Sequence, residues 1–91
     1  MSRVVVIAGA TSGIGRAAGR EFAERGDRLV LAARDRGTLA EVGRECRRAG
    51  AEVLAVPTDV TEPGALDALA AAAVDGFGRI DVWVHTAAVM A

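Results

Sequence analysis

The segment Gly9-Ala10-Thr11-Ser12-Gly13-Ile14-Gly15 places three glycines and two hydroxyls within seven residues, between an apolar run and a helical pattern. A strand, a tight turn and a helix start bring several backbone N–H groups and the positive helix end to one point. That arrangement suits the pyrophosphate of a dinucleotide. Glycine is needed because a Cβ would block close approach and left-handed dihedrals. An ordinary glycine-rich turn is the alternative. The buried strand before it and the helix after it, within a βαβ unit, favour the phosphate cradle. The Thr11 and Ser12 hydroxyls can reach phosphate oxygens, and they can also brace the turn.

The next candidate is Arg34, in Ala32-Ala33-Arg34. A site for NAD places an acidic residue about 20 residues past the turn, where it holds the ribose 2′-OH. No carboxylate stands at that strand end, and Asp35 comes one residue late. A guanidinium clamps a 2′-phosphate through two hydrogen bonds. The spacing therefore predicts NADP(H) in preference to NAD(H). Arg16, in the first helical turn, reads as a surface charge. Cys46 shares a helical stripe with Leu39 and Val42 and reads as a small core residue. Trp83 reads as core, or as a cover for further structure. His85 has no identifiable Ser, Cys or carboxylate partner and reads as a satisfied strand-end histidine. No residue is assigned to catalysis or to a metal.

Positioning these groups requires a regular alternation of elements. Val4 to Ala8 is a continuous apolar run, the mark of a strand buried on both faces. A helix over Gly13 to Arg25 follows, with Ala17, Ala18, Phe22 and Ala23 at helical spacing. The second strand runs from Arg28 to Ala33 and the second helix from Arg36 to Ala49. The third strand covers Glu52 to Val56. Thr61 is expected to cap a third helix with Pro63 in its first turn, turning Leu66, Leu69, Ala73 and Phe77 toward a core. Ile80 to His85 is the fourth strand. The order β-α-β-α-β-α-β makes an α/β fold with a Rossmann-type parallel sheet, the first half of a doubly wound fold. Its ligand crevice lies at the strand C-termini, between the first and fourth strands.

Composition limits the partners. The chain has 91 residues, a net charge of −1 and a single cysteine, which makes one domain and excludes an internal disulfide. All 11 basic residues are Arg. Without an excess of positive charge, nucleic acid is not expected as a partner. No apolar run approaches the ~18 residues of a membrane span, so the expectation is a cytoplasmic protein. The fourth strand is a bare apolar edge, Val82-Trp83-Val84, through which the chain could self-associate.

Ala8-Gly9-Ala10-Thr11-Ser12-Gly13-Ile14-Gly15 resembles the cofactor turn of the short-chain dehydrogenase/reductase family, with Ala8 where Thr is usual. Asp59-Val60-Thr61 is similar to the family's segment after the third strand. The resemblance implies that Asp59 accepts a hydrogen bond from the adenine amino group and that the Val60 amide meets the ring. Ile80-Asp81-Val82-Trp83-Val84 resembles the approach to the family's Asn-Asn-Ala-Gly motif, which here reads His85-Thr86-Ala87-Ala88. Thr86, Ala87 and Ala88 are thereby implied at the ribose. The resemblance covers essentially the whole chain. The cofactor residues it and the spacing give are Gly9, Thr11, Ser12, Gly13, Ile14, Gly15, Arg34, Asp59, Val60, Thr86, Ala87 and Ala88.

The family's reaction uses a Ser, a Tyr-x-x-x-Lys pair and an Asn beyond the fourth strand. This chain has no Tyr and no Lys. The expectation is thus an NADP(H)-binding half-domain over residues 1–91, cut before its catalytic segment, from an oxidoreductase of carbonyl or alcohol substrates. It would bind cofactor without turnover. The alternative is a non-catalytic dinucleotide-binding module or inactive remnant.

Overall fold

The computed structural model describes residues 2–86. Four strands and three helices alternate: β1 (Val4–Ala8), α1 (Gly13–Glu24), β2 (Arg28–Ala33), α2 (Arg36–Arg48), β3 (Val53–Pro57), α3 (Ala65–Phe77) and β4 (Val82–His85). The strands form one parallel sheet in the order β3-β2-β1-β4, with Val6 paired to Val30 on one side and to Trp83 on the other. The chain builds outward from β1 to β3, then α3 returns it across the sheet to β4. The reversal lies beside β1, as a doubly wound fold requires.

Burial follows strand alternation. Val5, Ile7, Leu29 and Leu31 pack with Ala23, Leu39, Val42 and Cys46 of α1 and α2. Val4, Val6, Ala8, Val30 and Ala32 face the other way and pack with Leu69 and Ala73 of α3. Every residue of β1 is fully buried, so each Val or Ile there contributes roughly 1.5–3 kcal/mol of burial. Cys46 sits in this core as expected, and burial pushes its thiol up from the ordinary value.

Several expectations need correction. On α1 the buried positions are Gly15, Gly19 and Ala23, whereas Ala17 is exposed. The third helix does not start under a Thr61 cap. Thr61 directs both its amide and its hydroxyl to Asp59 Oδ1, at 3.0 and 2.6 Å. Pro63 then lies in the loop, and Gly64, at φ +79°, opens the helix at Ala65. A left-handed backbone there suits glycine alone at no steric cost. Leu66, in the first turn, is exposed, while Leu69 and Ala73 are buried and Phe77 packs at the core margin. Trp83 is not core: it is 36% exposed on the edge strand.

Two carboxylates hold the start of β1. The Arg3 amide donates to Asp27 Oδ1 at 3.2 Å, and the Val4 amide donates to Asp81 Oδ2 at 2.8 Å. Asp27 is buried and takes a further bond from Arg3 Nη2 at 3.1 Å. Burial alone would raise its carboxyl, but the Arg3 side chain and amide outweigh this and hold it below 3.8, its ordinary value. A carboxylate depressed by folding adds stability above its unfolded pKa, and that contribution disappears as pH falls through the folded value. Asp27→Asn is expected to lower unfolding free energy at neutral pH by about 1.5–3 kcal/mol, the range for a hydrogen bond to a charged group. The difference from wild type should shrink as the pH is taken below 3.8. Chemical denaturation across a pH series checks this, and a gap that stays constant into acid would contradict it.

Candidate cofactor site

The cleft lies at the C-terminal ends of β1, β2 and β3. It measures about 730 Å³ and is lined by the glycine turn, the Ala32–Asp35 strand end and the Thr58–Thr61 loop. Three successive strand ends supply three different chemistries there: amides from the first, a guanidinium from the second and a carboxylate from the third.

The turn is built around the Gly9 carbonyl. Gly9, at φ +90°, swings the chain out of β1. Its oxygen then accepts from the Ser12 amide at 3.1 Å and the Ser12 hydroxyl at 2.8 Å. Ser12 is also the N-cap of α1: its Oγ accepts the Gly15 amide at 3.0 Å. A Cβ on Gly15 would stand 2.1 Å from Gly9 O, so only glycine permits this approach. Gly13 is different. A Cβ there would meet no atom of the described residues within 4 Å, so packing among them does not explain its bareness. The Gly13 and Ile14 amides have no acceptor among the described residues. Open space over free amides at a helix start fits an anionic group.

Arg34 is exposed and reaches back toward the cleft, its Nε 3.8 Å from Asp59 Oδ2. Asp35 does not compete for a ligand. Its Oδ1 accepts the Gly37 amide at 3.0 Å and its Oδ2 the Thr38 hydroxyl at 2.7 Å, which caps α2. Those bonds, the Thr38 hydroxyl first, lower its pKa. Asp59 is oriented by Thr61 and lowered chiefly by that hydroxyl and amide, with a smaller effect from Arg34. The Thr61 bonds occupy Oδ1 and leave Oδ2 turned to Arg34.

Gly9, Thr11, Ser12, Arg34, Asp59 and Val60 therefore meet in one cleft. Gly13 and Ile14 sit exposed at the helix start, with Ile14 75% exposed. Gly15 is buried behind the turn, and the Thr86 side chain lies against it. Ala87 and Ala88 lie outside the described residues. Arg16 is a surface charge tied to α2: its Nε donates to Glu45 Oε1 at 3.0 Å. His85 is exposed at the end of β4, and its ring has no hydrogen-bond partner among the described residues. Thr58 and Thr61 also line the cleft and were not anticipated there. The Asp59-x-Thr61 spacing was the available signal, because Asp bonds the backbone two residues on.

A family model described as short chain dehydrogenase matches residues 3–91. The chain belongs to the short-chain dehydrogenase family. Among similar proteins, the uncharacterized oxidoreductase YxnA of Bacillus subtilis is 40% identical over 87 residues, covering 96% of this chain and 24% of its own length. The 2-(R)-hydroxypropyl-CoM dehydrogenase of Xanthobacter autotrophicus is 41% identical over 90 residues, covering 98% of this chain and 36% of its own. The chain thus spans about a quarter to a third of these relatives. Among solved structures, L-sorbose reductase from Gluconobacter frateurii, complexed with NADPH and L-sorbose, superposes with a TM-score of 0.91. It shares 36% identity over 99% of this chain and 35% of its own. A family member from Burkholderia phymatum, in complex with NAD, gives 0.85 at 45% identity, covering 90% of this chain and 29% of its own.

The two glycines of the turn separate cleanly in stability. Gly15→Ala is expected to lower unfolding free energy by about 3 kcal/mol, the upper range for overpacking. Gly13→Ala should stay within about 0.5 kcal/mol of wild type, as for a surface change. Thermal melts of both variants test this; equal losses would show that Gly13 is also packed.

Proposed function

We propose that this chain is the NADP(H)-binding N-terminal part of a short-chain dehydrogenase that acts on a carbonyl or alcohol substrate. The observation that carries the cofactor choice is the division of labour between Arg34 and Asp35. Asp35, the carboxylate that directly follows Arg34 at the end of β2, is consumed in capping α2. The guanidinium beside it is 76% exposed at the cleft, with Asp59 Oδ2 3.8 Å from its Nε. A 2′-phosphate would meet a fork of donors there. Both NAD and NADPH occur in the similar structures, so the preference rests on this chain's own residues.

The bare turn at Gly13, with the free amides of Gly13 and Ile14, would take the pyrophosphate. Asp59 and Val60 would face the adenine, with Ala87 and Ala88 implied near the ribose by resemblance alone. The nicotinamide, when bound, supplies hydride exchange with a carbonyl carbon. This chain's residues hold and orient the group. They offer no Tyr or Lys to move the proton that must accompany the hydride, so the 91-residue chain binds without turnover. The same reading makes the protein cytoplasmic, with its lone buried cysteine reduced. Among the described residues no helix is long and apolar enough to cross a membrane. Exposed Trp83 on the β4 edge is where two copies would pair.

Arg34→Ala is expected to weaken NADPH by about 1.5–3 kcal/mol and leave NADH unchanged, since only the 2′-phosphate loses a partner. Gly13→Ala should weaken both cofactors alike, by about 5-fold or more, because a methyl fills shared space. Fluorescence titrations distinguish them; equal losses of NADPH and NADH in Arg34→Ala would refute the 2′-phosphate role. The purified chain mixed with NADPH and a panel of aldehydes and ketones should show no oxidation above background.

A further inference from the structure

We infer, resting on the cofactor reading above, that Asp59 opposes the 2′-phosphate: it competes for the Arg34 guanidinium and so limits how strongly this cleft prefers NADP(H) over NAD(H). Two carboxylates stand near Arg34. Asp35 has both oxygens engaged at the start of α2. Asp59 has its Oδ1 engaged by Thr61, while its Oδ2 has no hydrogen bond among the described residues and faces Arg34 Nε at 3.8 Å.

The carboxylate is the fixed partner of this pair. Oδ1 accepts the Thr61 amide at 3.0 Å and the Thr61 hydroxyl at 2.6 Å, closing a turn of the kind Asp makes with the backbone two residues on. To rotate Oδ2 away from Arg34, the carboxylate must give up these bonds. The same bonds, the hydroxyl first, keep its pKa below the ordinary value, so it is an anion at neutral pH. The guanidinium is the loose partner. Its side chain is 76% exposed against 31% for Asp59, and an exposed pair holds a long side chain weakly.

A phosphate that engages Arg34 in this position comes within a Debye length of Asp59, about 10 Å at 0.1 M salt. It brings up to two negative charges toward a fixed charge of the same sign. It also takes Arg34 from a carboxylate that already faces it. A neutral ribose 2′-hydroxyl meets neither penalty. Arg34 and Asp59 follow adjacent strands, β2 and β3, and line one cleft. One draws the 2′-phosphate in, and the other offsets part of that gain.

The test titrates NADPH and NADH into wild type, Asp59→Asn and Asp59→Ala and reads the ratio of the two affinities. The ratio cancels contacts common to both cofactors, the adenine included. Asp59→Asn keeps a carbonyl oxygen for the Thr61 bonds, and Asp59→Ala controls for the donor that the new amide brings. Both variants should raise the NADPH-over-NADH ratio by about 2- to 5-fold at low salt, the scale of an exposed ion pair. The gain should fade between about 0.02 and 0.5 M salt as screening removes it. An unmoved ratio overturns the proposal. So does a lower ratio, which would make Asp59 a partner that orients Arg34 for the phosphate. A gain in the Asn variant alone, which the new donor explains, or a gain indifferent to salt, which a change of shape explains, overturns it as well. Failure of the cofactor reading looks different: wild type then favours NADH at every salt concentration, while the shift between wild type and variants still decides the role of Asp59. A wild type that binds neither cofactor overturns both.

Discussion

One oxygen atom determines how this cleft is put together. The Gly9 carbonyl takes the Ser12 amide, the Ser12 hydroxyl and the Thr86 hydroxyl. It can do so because Gly15 brings no side chain to the place where that oxygen points. The first strand, the first helix and the fourth strand meet there within hydrogen-bonding distance. The helix start held there carries the Gly13 and Ile14 amides, which have no acceptor among the described residues and lie at exposed positions. The buried β1 strand supplies the rigidity, since all five of its side chains lie in the core and carboxylates clamp its first amides.

Charge is distributed with the same economy. Of the three carboxylates and guanidiniums around the second and third strand ends, Asp35 is committed to α2 and Asp59 is half committed to Thr61. Arg34 is exposed, with the remaining oxygen of Asp59 3.8 Å from its Nε. A surface pair at that distance is worth little in water, so a ligand with its own anionic oxygens can displace it at small cost. Local capping chemistry thus turns the Asp35 carboxylate to the start of α2.

The alternation of elements was legible because β-branched runs and helical stripes differ in period, and the parallel order followed from the lengths of the crossovers. The turn was legible because its glycines stand between a buried strand and a helix. What escaped was the competition among short polar side chains. Thr61 looks like a helix cap in sequence, yet Asp59 two residues earlier captures it, and the start of α3 passes to Gly64. Leu66 lies on the expected stripe, but a helix's first turn can overhang the sheet, and there the stripe faces solvent. The Thr86 contacts were hidden for another reason. They join positions 77 residues apart, and nothing in a linear spacing reports on a hydroxyl that fits a space left by a distant glycine.

That last relation bears on how the turn's pattern should be read. Gly13 and Gly15 look alike in sequence, as two glycines of one motif, yet they are glycine for opposite reasons. Gly15 is bare because protein atoms already fill the room a Cβ would need, so its constraint comes from folding. Gly13 is bare although nothing among the described residues approaches it, so packing within them does not require a glycine there. A structural turn needs only the first kind. The second kind, beside amides without acceptors among the described residues, leaves the helix start open to an anionic group, which a purely structural turn does not require.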